Sequence, residues 1–301
     1  MSYINIHKKF KLSLVFFLVA FALIITSAFF IFHDQKTLAE NTIAENNILV
    51  GHDYVLPEIA KTSIDGLGVD GQEQRQIILP MLMYHYISAA PANTGLPGLY
   101  TESEIFENHL QTLKEYGYHT VFPSDLGNYL ISGEPLPDHS IILSFDDGYV
   151  DFYEKAFPLL KKYNMKGIIY VIYDYMDKPG YITVDQAKEM VDSGLVEIGS
   201  HTLNHINLSQ TDAAEAYRQI YESKINLSLA IGREVTSIAY PFGKFSERDE
   251  GFAQKAGYLT GASTYIGARQ STNKIYSLFR IRPGKKINGD FIKLLEKEEA
   301  K

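Results

Sequence analysis

From Ile77 onward the chain alternates short apolar runs with helix-like segments, and this alternation does most to narrow the fold. An apolar run too short for a helix and lacking a polar face has to be buried on both sides, the condition of a parallel strand between crossover helices. The spacing predicts strands over Ile78–Tyr84, Ser140–Phe145, Lys166–Tyr173, Val196–Ser200 and Ser237–Tyr240, with short ones around Leu259–Ala262 and Leu278–Arg282. Pro80 confines the first of these to an edge or a strand start. Helices are expected from Thr101, whose spacing to Glu104 is that of a capping box, to about Gly117, and over Val150–Tyr163. Others are expected from Thr183, with Gln186 at the capping-box position, to Gly194, and over Asp212–Ile231 and Glu247–Ala256. Six or seven β/α units between residues 77 and 301 predict an α/β barrel rather than an open sheet, because a full eightfold barrel takes about 250 residues.

The amino terminus reads differently. Residues Leu12–Phe32 run for 21 positions without a charge, after Lys8, Lys9 and Lys11. That is long enough to span a bilayer, and the lysines predict a cytoplasmic amino end with everything after His33 outside. A secretory signal is the competing expectation, since Thr37-Leu38-Ala39 offers a small-residue cleavage site that would release a secreted protein. The segment exceeds the usual 7–15-residue signal core, so the expectation is residues 1–33 as cytoplasmic tail and transmembrane anchor. Residues 34–76, polar and aperiodic, are expected to form an extracytoplasmic stalk, leaving 77–301 as the catalytic domain.

Composition limits the chemistry. The chain has no cysteine, so a disulfide framework, a thiolate-held metal and a thiol nucleophile are all excluded. Any metal must sit on His, Asp or Glu. Net charge is -8, and because residues 1–33 hold three lysines and no acids, the remainder carries 25 Lys+Arg against 36 Asp+Glu, or -11. Such an exterior repels nucleic acid, which is not expected as a partner; neutral or partly cationic glycans suit it better.

Four polar constellations fall at predicted strand ends, where parallel α/β folds collect their catalytic groups. Ser144-Phe-Asp-Asp-Gly-Tyr149 presents two adjacent carboxylates that point apart on extended backbone, so one can bind a metal while the other acts as a base. The same residues could instead cap the following helix, with Gly148 making the turn. His201-Thr-Leu-Asn-His205 brings two imidazoles to one face if it turns helically; alone such pairs are often surface accidents, but with a carboxylate they make a two-His-one-carboxylate set with open positions. His85, at the end of the first strand, is either a hydrogen-bonded core residue or the proton donor a hydrolase needs, and no His follows His205. Ala239-Tyr-Pro-Phe-Gly243 can be a plain strand-to-loop turn, or one that aims a backbone N–H at an oxyanion beside an apolar face for a sugar.

Together these motifs resemble the polysaccharide deacetylases, the NodB-homology group or carbohydrate esterase family 4, over about Ile78–Ile287. The resemblance implies a distorted (β/α)7 barrel that removes acetyl groups from N-acetylglucosamine residues. It implies Asp146 as general base, and Asp147, His201 and His205 as ligands of one divalent metal ion, Zn2+ before Co2+, Ni2+ or Fe2+. Ala239 stands where many members carry an arginine, and the usual late acid His is missing. Tyr84-His85, Tyr240-Pro241-Phe242-Gly243 and Phe279-Arg-Ile-Arg-Pro283 are similar to the poly-β-1,6-N-acetylglucosamine deacetylase branch, whose permuted barrel puts the acid His early. That likeness implies His85 as the acid, Arg280 as a residue orienting the site, the Phe242 N–H as an oxyanion donor, and Tyr149, Tyr240, Pro241 and Gly243 at the substrate. Peptidoglycan or chitin oligomers are the alternative substrates, and an inactive glycan-binding protein the alternative of another class.

Overall fold

The computed structural model describes residues 74–301. It is an α/β fold with a near-closed parallel β-barrel. The seven strands run in the order β10 (Leu278–Arg280), β8 (Thr260–Ile266), β7 (Ser237–Ala239), β6 (Val196–Ser200), β5 (Gly167–Val171), β4 (Ser140–Phe145) and β2 (Met81–Tyr84). The two end strands meet at a seam, where Met83 N–H donates to Ile281 O at 2.9 Å and Ile281 N–H donates to Met81 O at 2.8 Å. Every residue of β2, β4 and β5 is buried, as their largely apolar sequences require. The expected strand over Ile78–Tyr84 divides at Leu79-Pro80. Its first part, β1 (Gln76–Ile78), pairs antiparallel with β9 (Arg269–Ser271) outside the barrel. A short β3 (His119–Thr120) lies beside the start of β4.

The helices are α1 (Ser103–Glu115), α2 (Pro123–Ser132), α3 (Phe157–Tyr163), α4 (Val184–Asp192), α5 (Ala213–Ile231), α6 (Glu247–Lys255) and α7 (Asn288–Glu299). The capping box at Thr183 forms reciprocally: Gln186 N–H donates to Thr183 Oγ1 at 3.2 Å, and Thr183 N–H donates to Gln186 Oε1 at 2.9 Å. The one expected at Thr101 does not, because Thr101 N–H is taken by Tyr86 O at 3.0 Å and α1 starts beyond it, with Glu102 as cap. A wide π-helical turn, Phe152–Ala156, precedes α3.

The expected transmembrane anchor, and with it the membrane as partner and location, is corrected. Among the described residues no helix is long and apolar enough to cross a membrane. The longest, α5, carries Glu215, Arg218, Glu222 and Lys224 within its 19 residues. The apolar run Leu12–Phe32 and most of the expected stalk lie outside the described residues.

Strand alternation sorts β6 between barrel interior and helix layer. Ser200 Oγ reaches outward to Ser223 Oγ of α5 at 2.7 Å, so Glu197, Gly199 and His201 point the other way. Gly199 has to be glycine, since a Cβ there would stand 2.4 Å from the Tyr170 ring. Tyr170 is fully buried, its hydroxyl 2.8 Å from Ser237 Oγ, and the Arg280 guanidinium lies 5.9 Å above its ring. This stack supports the site from below.

Candidate active site

Asp146 and Asp147 leave β4 in different directions. Asp146 N–H still bonds Tyr84 O at 3.0 Å in strand fashion, whereas Asp147 turns to φ 79° and Gly148 to φ 80°. Aspartate is among the few non-glycine residues that tolerate this left-handed region. The turn carries Asp147 Oδ1 to 3.3 Å from both His201 Nε2 and His205 Nε2. Ligand atoms of these three side chains all lie within 4.8 Å of one another. Asp147 Oδ1 is buried and accepts no well-directed hydrogen bond. His201 Nδ1 is 2.7 Å from Ala239 O and can only donate to it, which leaves Nε2 with a free lone pair. An orphaned carboxylate oxygen facing two imidazole nitrogens fits a divalent metal ion.

The two histidines do not meet through a helical turn as the i, i+4 spacing suggested. Residues 201–205 form a non-helical turn in which Thr202 has φ 68° and His205 φ 63°. Conformations of this kind cost on the order of 1–3 kcal/mol each and need firm support, which is especially so for a β-branched threonine.

Asp146 faces a different set of partners. Arg280, 1% exposed, grips it with two hydrogen bonds, Nη1 to Oδ1 at 2.7 Å and Nη2 to Oδ2 at 2.9 Å, while its Nε donates to Ser263 O at 2.6 Å. His85 Nε2 lies 3.9 Å from Asp146 Oδ2. Burial alone would raise the Asp146 pKa, but Arg280, His201 and His85 outweigh it and hold the carboxyl below its ordinary range. For His85 burial dominates and lowers the pKa; Asp146 and Asp147 oppose this, and Arg280 and Arg282 add to it.

The remaining predicted residues divide by exposure. Tyr149 stacks on Tyr86 with centroids 3.7 Å apart, and Tyr86 in turn on Tyr100 at 4.4 Å, making a tyrosine wall on the Asp147 side. Tyr240 and Pro241 are buried, Tyr240 stacking on Phe245 at 4.2 Å. Phe242 is 60% exposed and sets its ring edge-on to His205 at 4.4 Å. Gly243 has φ 64°, and a Cβ there would collide with Thr264 Oγ1 at 2.0 Å, so the turn admits no side chain. Sequence reasoning missed Asp151, whose Oδ2 accepts from Ile87 N–H and Ser88 Oγ, each at 3.0 Å, and so anchors the loop after His85. Its only signal was its place as the third acid after β4. Exposed Tyr265 and Ile266, at the end of β8, were missed as well, because that strand runs four residues past the predicted stop.

Comparison with known proteins places this geometry. The polysaccharide deacetylase family profile matches residues 133–261. YxkH of Bacillus subtilis (strain 168), a polysaccharide deacetylase by name, is 32% identical over 211 residues, covering 70% of this chain and 73% of that protein. The poly-β-1,6-N-acetyl-D-glucosamine N-deacetylase of Staphylococcus aureus (strain MRSA252) is 27% identical over 189 residues, covering 58% of this chain and 65% of the relative. Among solved structures, the Streptococcus pyogenes deacetylase PplD in complex with acetate superposes with a TM-score of 0.68 at 29% identity, over 74% of this chain and 99% of that one. With a buried Asp-His-His cluster at the C-terminal mouth of its barrel, and with these relatives, the chain belongs to the polysaccharide deacetylase family and carries a metal-dependent hydrolase active site.

Proposed function

We propose that this protein removes acetyl groups from N-acetylglucosamine residues of an extracellular polysaccharide, poly-β-1,6-N-acetylglucosamine, with Asp146 as base and His85 as acid. The observation that carries the reading is the pairing across the seam: His85, after the first barrel strand, stands 3.9 Å from a carboxylate that Arg280, on the last strand, holds ionised. Resemblance to the staphylococcal enzyme, whose name gives that polymer, supports the substrate.

Asp147, His201 and His205 would hold the divalent ion, Zn2+ by the family resemblance, with Co2+, Ni2+ or Fe2+ equally suited to these donors. When bound, such an ion polarises the acetamide carbonyl and lowers the pKa of the attacking water. Asp146 accepts that water's proton. It is ionised throughout the neutral range, and its two bonds to Arg280 fix where the free lone pairs point. His85, whose buried imidazole resists holding a proton at rest, receives the proton taken up by Asp146, 3.9 Å away, and delivers it to the departing sugar amine as the C–N bond breaks, giving acetate and a glucosamine residue. The Phe242 N–H is assigned to the oxyanion. Exposed Phe242, Tyr265 and Ile266 offer one apolar bank and the tyrosine wall of Tyr86 and Tyr149 the other, between which sugar faces can lie.

The test is acetate release by the full chain from β-1,6- and β-1,4-linked N-acetylglucosamine oligomers, with added Zn2+ and with chelator. Chelator-sensitive release favouring β-1,6 is expected. Preference for β-1,4 would overturn the substrate, and no release from either by Zn2+-loaded protein would overturn the activity.

A further inference from the structure

The four backbone N–H groups from Thr202 to His205 all donate to side chains. Thr202 N–H goes to Ser200 Oγ at 3.2 Å and His205 N–H to Thr202 Oγ1 at 3.1 Å. The middle two, Leu203 and Asn204, share one acceptor, Oε1 of Gln219, at 3.1 and 3.2 Å. Gln219 lies on α5 and is 0% exposed. Its amide cannot be turned round: Nε2 donates to Glu215 Oε1 at 2.9 Å, and Glu215 is itself held by Arg218 through bonds of 2.6 and 2.7 Å. An ionised carboxylate only accepts, so the NH2 must face Glu215 and the oxygen the turn.

We infer that Gln219 is a positioning residue for the metal site, setting the separation of His201 and His205 by clamping the two amides between them. The inference rests on these histidines and Asp147 as ligands. Two left-handed residues bracket the clamped pair, and without an acceptor in that place the buried Leu203 amide is left unpaired in this shape. A relaxed turn would move one or both Nε2 atoms relative to Asp147 Oδ1. A merely structural glutamine would lower the melting temperature and leave the affinity of the folded protein for metal as it was.

The experiment is Zn2+ affinity of the metal-free full chain, by competition with a chromogenic chelator, alongside its melting temperature. Gln219→Met keeps the volume and removes the acceptor; Zn2+ affinity is expected to fall about ten- to a hundredfold, the usual effect of losing support behind a ligand. Gln219→Glu keeps an acceptor oxygen at the turn and, in its protonated form, an O–H donor toward Glu215, and should hold affinity to within about threefold of the parent, by the same reasoning. A Gln219→Met protein that melts lower yet binds Zn2+ like the parent overturns the inference. Should that variant not fold, Gln219→Glu decides: tenfold weaker binding there, in a folded protein, overturns it equally. Failure of the parent to bind one Zn2+, or an Asp147→Asn variant binding as tightly as the parent, would instead overturn the ligand assignment.

Discussion

Two inward-facing carboxylates of this barrel, Asp146 and Glu197, meet opposite electrostatic fates. Asp146, at the C-terminal mouth, lies in the fork of Arg280 and is held below the ordinary carboxylate range. Glu197, near the start of β6, has Ser124 on Oε1 rather than a guanidinium, while its Oε2 is buried without a hydrogen-bond partner among the described residues. Burial pushes it up to about 7, and nearby Asp125 adds to the rise against the hydrogen bond from Ser124. Desolvation acts in the same direction on both, so the difference comes from the partner: a guanidinium keeps a buried carboxylate charged, and a hydroxyl does not. The barrel thus has an ionised, oriented acid at its mouth, where the proposed reaction needs a base, and a readily neutralised one at its other end.

The contrast can be broken most severely at the mouth. Asp146→Asn should retain Zn2+ while acetate release falls about a hundred- to ten-thousandfold, the range for a positioned general base; near-normal turnover would remove Asp146 from that role. Arg280→Met should give a loss of activity together with a drop in stability of about 3–5 kcal/mol, measured by denaturant unfolding, since it strands a buried charge. An equal stability from the variant would mean that the pair contributes nothing net.

Smaller effects sharpen the comparison through pH. For Glu197 the folded pKa lies above its ordinary 4.5, so the native state holds the extra proton and stability declines as pH rises from about 4.5 to 7. For Asp146 the folded pKa lies below the ordinary 3.8, so its contribution is present above that value and disappears as the solution is acidified through the folded pKa. Glu197→Gln should therefore flatten the decline between pH 4.5 and 7, gain about 1–2 kcal/mol at pH 8, and leave acetate release unchanged. An unaltered stability profile would show that Glu197 is already solvated. The smallest change is expected at Thr183→Ala, which opens the capping box of α4 and should cost about 1 kcal/mol in thermal unfolding without touching metal affinity.

The strands were legible because both of their faces are buried. Val196–Ser200 was read to the residue, and Ser237–Ala239 to within one. Asp146, Asp147, His201 and His205, which the structure brings together, were singled out because strand-end motifs keep their chemistry close in sequence, and His85 and Arg280 with the help of the family resemblance. What eluded the sequence depends on contacts across it. Helix α2 carried Pro123 at its start and Gly133 at its end, the ordinary punctuation of a helix, yet its apolar face is defined by Leu126 and Leu130 packing on the barrel. The His-x-x-x-His spacing suggested a helix because nothing local announces that Gln219, on another element, will take up the amides of the turn. The amino-terminal apolar run was readable only as hydropathy, and the described residues supply no spanning helix to go with it.

The seam between β2 and β10 also bears on how the molecule comes into being. β10 is the last barrel strand in the sequence, and it carries Arg280 while its edge completes the strand that leads to His85. A chain leaving the ribosome can therefore lay down six strands and the turn that bears His201 and His205 and still lack the grip on Asp146. Pairing between the most distant barrel strands is a slow, late step in a fold of this kind. Competence for the proposed amide hydrolysis would then switch on with closure of the barrel, so that partly made chains stay inert.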